Sequence, residues 1–335
     1  MGILAGDIGG TKTHLAVFDD SDLRKKIFEK KYASASHADF LSIVRDFLSS
    51  FPSKEGTLKK ACFGVAGPVQ GGKCKTTNLP WIIDAGEVEK ATSLSSVVLL
   101  NDLEANAYGI PLLREEELFI LHEGTKKIGN CALIAAGTGL GEAGMVWDGM
   151  RHIPFACEGG HADFAPRDEL EMELLRYLIE QSGHVSYERV ISGPGIYQLY
   201  RFLVDMHLEE EDPEVRNAFS ISDPPKVITQ LALEQKDRLA ERAVDWFISL
   251  YGAEAGNLAL KFLAFGGVYL GGGLAPRLAS LLRNGDFMSS FINKGRFAGL
   301  LNEIPVRIIL NNETALLGAA AYVAERVVEE NRQDH

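Results

Sequence analysis

The stretch "LAGDIGGTKTHLAVFDD", residues 4–20, places an acid inside a run of glycines. Gly6, Gly9 and Gly10 separate two apolar segments, so the pattern reads as strand, tight turn, strand. Glycines at such a turn let an anion reach the backbone N–H groups without meeting a side chain. Asp7 opposes that use, because its charge would repel a phosphate. The acid fits only if something that needs a carboxylate arrives together with the phosphate.

Working outward, a third strand is expected over residues 26–32. A helix is expected over about 37–50, with Phe40, Ile43, Val44 and Phe47 on one face. "KKACFGVAGPV" (59–69) reads as a strand ending in a Gly-Pro turn, and "SSVVLLND" (95–102) as a short buried strand ending on acids. Near residue 129 the opening pattern returns: "NCALIAAGTGLGEAGMVW" is again strand, glycine turn, strand. The echo suggests two related halves. Helices are expected over 168–182, 193–206 and 236–264, followed by "GGVYLGGGLAPRLASLL" as strand, glycine turn and helix. A last strand, "PVRIIL" (305–310), precedes a last helix, "ETALLGAAAYVAERVVEE". The charged stretch from Glu209 to Pro225 reads as an exposed connection. Strands and helices mixed in this way, with glycine turns at strand ends, indicate an α/β architecture with ligands near those ends.

The 335 residues suffice for two domains, and 46% hydrophobic with 24% charged residues is ordinary for a globular protein. A formal net charge of −12 argues against broad nucleic-acid binding, though not against a small anion held by local positive potential. No apolar run approaches the length of a membrane span, and the N-terminus carries no signal-peptide pattern. Cys62, Cys74, Cys131 and Cys157 follow no framework spacing, which suits free thiols. The expectation is a cytoplasmic enzyme.

Neither common phosphate-loop motif fits the opening stretch. The P-loop needs a second glycine where Thr11 stands, and the dinucleotide fingerprint needs a helix where a strand follows Gly10. What raises the phosphate reading above a plain hairpin is recurrence. The loops Gly6–Thr11, Gly137–Gly141 and Gly271–Gly273 share a strand-end context, Thr11 and Thr138 add hydroxyl donors, and the third loop opens a helix. Asn101 and Asp102 follow a buried strand, where they either cap the next helix or point into a site. "FACEGGHADFAP" (155–166) sets Glu158 and His161 across a turn, close enough to face one ligand or to form a surface loop.

The segments "GDIGGTK", "AAGTGLG" and "YLGGGLAPRL" resemble the two phosphate segments and the adenosine segment of the sugar-kinase, actin and heat-shock-chaperone ATPase fold. With "LLNDLEANA", "CEGGHADFAP" and "SYERVISGPG", the chain resembles the bacterial-type glucokinase family from end to end. The resemblance implies two α/β domains with ribonuclease-H-like cores and a ligand cleft between them. Residues 1–110 with 311–335 would form the smaller domain and 111–310 the larger. It further implies transfer of the ATP γ-phosphoryl group to the 6-hydroxyl of glucose. Asp102 would be the base, and Asn101, Glu158, His161 and Glu188 would contact the sugar. Gly6, Asp7, Ile8, Gly9, Gly10, Thr11, Gly137, Thr138 and Gly139 would lie at the phosphates, and Gly271, Gly272 and Gly273 beside the adenosine. ATP brings Mg²⁺, which Asp7 can hold directly or through water. Asn78 resembles a further sugar contact, and Cys157 stands where such kinases often carry glycine, a difference of packing.

His152, Cys157 and His161 lack zinc-site spacing, and no zinc is expected. A homodimer is expected, with no nucleic-acid or membrane partner. Rival readings are a kinase for another hexose, a sugar-responsive regulator of the same fold, and an actin- or chaperone-like ATPase. The phosphate loop begins at Gly6, which leaves no helix-turn-helix ahead of it and weakens the regulator.

Overall fold

The structure is a computed structural model that describes residues 2–52, 58–77 and 79–333, with side chains described as far as 326. Asn78 lies outside the described residues. The chain divides into two compact units, Met1–Arg114 with Asn311–His335, and Glu115–Leu310.

The first unit opens with β1 (Gly2–Ile8), β2 (Lys12–Asp19) and β3 (Asp22–Ala33), an antiparallel meander. The helix α1 (Phe40–Ser50) follows, capped by Asp39, with Phe40, Ile43, Val44 and Phe47 buried. Next come β4 (Lys60–Val65) and a small three-stranded sheet of β5 (Val69–Gln70), β6 (Lys73–Lys75) and β7 (Ile82–Asp84). Then α2 (Ala85–Ala91), β8 (Ser96–Asn101) and α3 (Asp102–Gly109) complete the unit's first segment. The five-stranded sheet has the order β3-β2-β1-β4-β8, with β1, β4 and β8 parallel.

Alternation along β1 divides its side chains between two cores. Leu4 and Ile8 join one cluster with the α1 residues, whereas Ile3 and Ala5 join another with Ala105 of α3 and Leu316 and Ala320 of the C-terminal helix Thr314–Gln333. Asp7 continues the second series. It therefore leaves the sheet on the face that carries α3.

The second unit repeats the plan. After β9 (Leu118–His122), the strands β10 (Cys131–Ala136), β11 (Leu140–Trp147) and β12 (His152–Cys157) form another antiparallel meander. The helices α4 (Glu169–Ser182), α5 (Gly193–Asp205), α6 (Pro213–Ala218), α7 (Pro224–Leu233) and α8 (Arg238–Phe262) follow. Then β13 (Gly267–Gly271) leads through α9 (Leu274–Arg277), α10 (Ala279–Asn284), α11 (Phe287–Ile292) and α12 (Ala298–Asn302) to β14 (Val306–Ile309). The sheet order β12-β11-β10-β13-β14-β9 reproduces the first unit's meander plus two parallel strands, with β9 added at the edge. The echo between residues 4–20 and 130–147 is thus an echo of topology. Glu209–Pro225, read as an exposed connection, instead contains α6 and the start of α7, both opened by Asp-Pro steps that favour a helix N-terminus.

One buried hydrogen bond ties the second unit's helices to the strand leading into its glycine loop. Tyr251 of α8 is fully buried and donates its hydroxyl to the Ile134 carbonyl of β10 at 3.1 Å. Tyr251→Phe is expected to lower unfolding free energy by roughly 1 kcal/mol, seen as an earlier urea midpoint at unchanged slope. An unchanged midpoint would show that this bond contributes nothing net.

Candidate functional site

In the first unit, register sets Ile8 opposite Val65 and Val65 opposite Asn101, so three parallel strands end on one edge. The turn after β1 is closed by Gly9 N–H donating to the Lys12 carbonyl at 3.0 Å and is held by Ser34, whose hydroxyl donates to the Gly9 carbonyl at 2.9 Å. Gly9 and Gly10 are half-buried and Thr11 is exposed, while Gly6 and Ile8 are buried. Gly6 is small for a packing reason: a Cβ there would lie 2.6 Å from both Leu15 and Phe63. Burial pushes the Asp7 carboxyl up to about 6, with Lys12 pulling weakly the other way. A carboxylate raised by desolvation is one that a cation would stabilise, so the donor suits a hard metal ion.

Asn101 is buried and caps α3. Its side-chain oxygen accepts from the Leu103 and Glu104 amides at 2.9 and 3.3 Å, and its amide nitrogen donates to the Gly67 carbonyl at 3.3 Å. An asparagine amide has two N–H donors, so one remains for a ligand. Asp102 is the first residue of α3, half-buried, and accepts from the Leu103 amide at 3.0 Å. The helix-cap role belongs to Asn101, and Asp102 rides on the helix that Asn101 caps.

In the second unit, β10 and β13 run parallel with Ala135 opposite Gly271, so their loops also leave one edge. The Gly137 amide donates to the Gly139 carbonyl, and the Gly193 amide at the start of α5 donates to the Gly137 carbonyl, both at 2.8 Å. Gly272 has φ of 76°, and a Cβ there would overlap the Ala136 carbonyl, so only glycine fits. These loops open on a cavity of about 480 Å³ lined by Gly137, Thr138, Gly193, Asp223, Lys226 and Arg277, among others. That volume suits a nucleotide-sized ligand.

The sequence reading did not single out Asp223, Lys226 or Arg277. The signal was the "SDPP" helix start at 222–225, which carries Lys226 to the cavity wall. An Arg277 N–H donating to the Lys226 carbonyl at 3.3 Å joins that wall to the third glycine loop.

Glu188 links this loop system to the "EGGH" turn. Its carboxylate accepts from the Leu140 amide at 2.9 Å, next to Gly139, and its other oxygen lies 4.0 Å from His161 Nδ1. Glu158 is exposed at the end of β12, and His161 is exposed one 3-10 turn later. The Tyr187 amide donates to the Ala162 carbonyl at 3.0 Å, which holds the Glu188 segment beside that turn. Glu158, His161, Glu188 and Gly137–Gly139 therefore form one continuous polar surface within this unit. His152 turns elsewhere, with Nε2 2.9 Å from the Gly129 carbonyl, and the Cys157 thiol donates to the Glu142 carbonyl at 3.4 Å. Among the described residues, the one close group of three potential metal ligands is His14, Glu29 and Glu313, and Lys26 already bonds both of its carboxylates.

The glucokinase family model matches residues 4–326. The chain belongs to the glucokinase family. A glucokinase of Nostoc sp. is 43% identical over 340 residues, covering 96% of this chain and 98% of that one. Glucokinase from an Antarctic psychrotroph, a crystal structure, is 30% identical with a TM-score of 0.81, covering 97% of this chain and 99% of that one. A second crystal structure, glucokinase from Balamuthia mandrillaris in complex with glucose, shares the fold at 20% identity, with a TM-score of 0.80 and coverage of 97% and 93%. The chain is accordingly an ATP-dependent hexose kinase of the two-domain, actin-like ATPase class. No helix among the described residues is long and apolar enough to cross a membrane.

Gly272→Ala is expected to raise the KM for ATP about tenfold, the equivalent of roughly 1.4 kcal/mol of backbone strain passed to Gly273 on the cavity wall. The KM for glucose should stay unchanged in the same steady-state assay. An unaltered KM for ATP would remove this loop from the nucleotide site.

Proposed function

We propose that the chain phosphorylates glucose at its 6-hydroxyl, with Asp102 as the base that takes the hydroxyl proton. Asn101, Glu158, His161 and Glu188 hold the sugar hydroxyls. Gly9–Thr11 and Gly137–Gly139 present backbone N–H groups to the phosphates, and Gly271–Gly273 line the adenosine side. The observation that carries this reading is the shared strand edge of the first unit. It delivers Asp7 from β1 and Asp102 from the start of α3 on the same face of one sheet. Two acids there call for two tasks. Asp102 sits at a helix N-terminus, the place from which a carboxylate takes the hydroxyl proton. Asp7 sits at the glycine turn, desolvated, where a cation would restore its charge.

Magnesium held by Asp7, directly or through water, would neutralise charge on the phosphates that the glycine turns cradle. The protein's own part is to fix the hydroxyl against Asp102 and to exclude competing water. Glucose and ATP are the proposed substrates, the cytoplasm the proposed compartment and a homodimer the proposed assembly.

A coupled assay on Asp102→Ala is expected to show kcat lowered ~10²–10⁴-fold with glucose binding retained. Near-wild-type turnover would remove Asp102 from the base role. Asp7→Asn is expected to raise the magnesium concentration needed for half-maximal rate while leaving glucose affinity unchanged by calorimetry. An unaltered magnesium requirement would contradict the division of labour.

A further inference from the structure

Glu142 of β11 is 1% exposed, and neither oxygen of its carboxyl has a hydrogen-bond partner among the described residues. Alternation along β11 directs it to the same face as Leu140, toward α8. Above it lies the sugar turn: a Cβ on Gly159 would overlap the Glu142 carboxylate, so Gly159 can be only glycine while Glu142 keeps its position. Cys157, opposite Glu142 in register, donates its thiol to the Glu142 carbonyl at 3.4 Å and leads directly into Glu158. The carboxyl of Glu142 is thus pressed against the backbone that carries Glu158, Gly159 and Gly160.

The charges around it do not balance an ionised Glu142. From α8, Glu254 is fully buried and accepts from Lys261 Nζ at 3.2 Å and Asn257 Nδ2 at 2.8 Å. Asn257 also donates to the hydroxyl of Tyr187, the neighbour of Glu188, at 3.1 Å. Lys261 is the cation that faces Glu142, and it is already paired with Glu254. Among the described residues, Tyr251 of α8 and Cys157 of β12 also face Glu142, and neither adds positive charge. Lys294 also faces Glu254, so the cations gather on the Glu254 side. Glu142, buried with neither carboxyl oxygen bonded among the described residues, is the carboxyl to take a proton.

We propose that Glu142 carries a proton in the working enzyme and acts as a positioning residue, a neutral support beneath the sugar turn whose ionisation displaces Glu158 and weakens glucose binding. This rests on the reading of Glu158, His161 and Glu188 as sugar contacts. Burial, reinforced by the charge of Glu254, pushes the Glu142 carboxyl up to about 7, so the transition falls near neutrality. Below that pH the support is neutral, and above it a second buried charge appears beside Glu254. The same proton is linked to stability. Between the ordinary glutamate pKa of about 4.5 and the folded value of about 7, the folded chain holds a proton that the unfolded chain has lost, so stability falls as pH rises through that window.

The test compares the full-length wild type with Glu142→Gln, an isosteric neutral replacement, from about pH 5.5 to 8.5. The wild-type KM for glucose is expected to rise about tenfold over that range, the change that one pH unit of proton coupling produces, with kcat following a separate profile. Glu142→Gln should hold the low-pH KM throughout and lose less melting temperature than the wild type as pH rises. In difference infrared spectra without sugar, a protonated-carboxyl band should titrate near neutrality in the wild type and be missing from Glu142→Gln. A KM rise that persists in Glu142→Gln assigns the titration to another group and overturns the proposal, as does absence of the infrared band. A titrating band with a flat wild-type KM overturns the link to the sugar turn. If Glu142→Gln fails to fold, Lys261→Met serves instead: loss of the facing cation should move the KM transition to higher pH, and an unmoved transition contradicts the proposal. The reading of the sugar site fails separately, by an unchanged glucose KM in Glu158→Gln.

Discussion

Two parallel strands cannot be joined by a hairpin, so the chain must cross over and begin again at the same end. That constraint sends whatever follows each parallel strand to a common edge. In the first unit it gathers the turn after β1, the Gly67 loop after β4 and the Asn101–Asp102 start of α3. In the second it gathers the glycine loops after β10 and β13. The rest of each unit serves to hold that edge rigid. The core of the first sheet divides into two clusters, and the second unit builds a single large one against α5, α7 and α8. Residues far apart in sequence meet because the strands beneath them can end nowhere else.

The acids at these edges meet different surroundings. Asp102 accepts from a backbone amide at a helix N-terminus, and Glu188 accepts from the Leu140 amide. Among the described residues, Asp7 has little besides Lys12 to offset its burial, and Glu142 has no hydrogen bond to offset its own. The chain's net charge of −12 therefore poses no obstacle to an anionic substrate. The local field at each loop is set by N–H groups and helix ends over distances shorter than the screening length.

Much of this was legible in the sequence because glycine and strand patterns are local. The hairpin at residues 2–19, its echo at 131–147 and the long helices of 169–182, 193–205 and 238–262 follow from periodicity and turn chemistry. The alternatives at Asn101 and Asp102 could be posed from sequence but resolved only in three dimensions, where Asn101 caps α3 and retains one donor. The cavity residues Asp223, Lys226 and Arg277 were hidden in a charged, proline-containing stretch and a short helix, because a cavity wall is a property of packing. Glu142 was hidden for the opposite reason. It lies in a glycine-rich strand where an acid looks solvent-facing, and only the alignment of β11 over α8 shows it to be dry.

Two acids stand at one strand edge, and the proposal gives Asp102 to the sugar and Asp7 to the metal and phosphates. The most direct measurement is a crystal structure with glucose, Mg²⁺ and a non-hydrolysable ATP analogue bound together. The account places the Asp102 carboxylate within hydrogen-bond distance of the glucose 6-hydroxyl and Asp7 on the magnesium, directly or through one water. Asp7 against the sugar, or Asp102 on the metal, would contradict it.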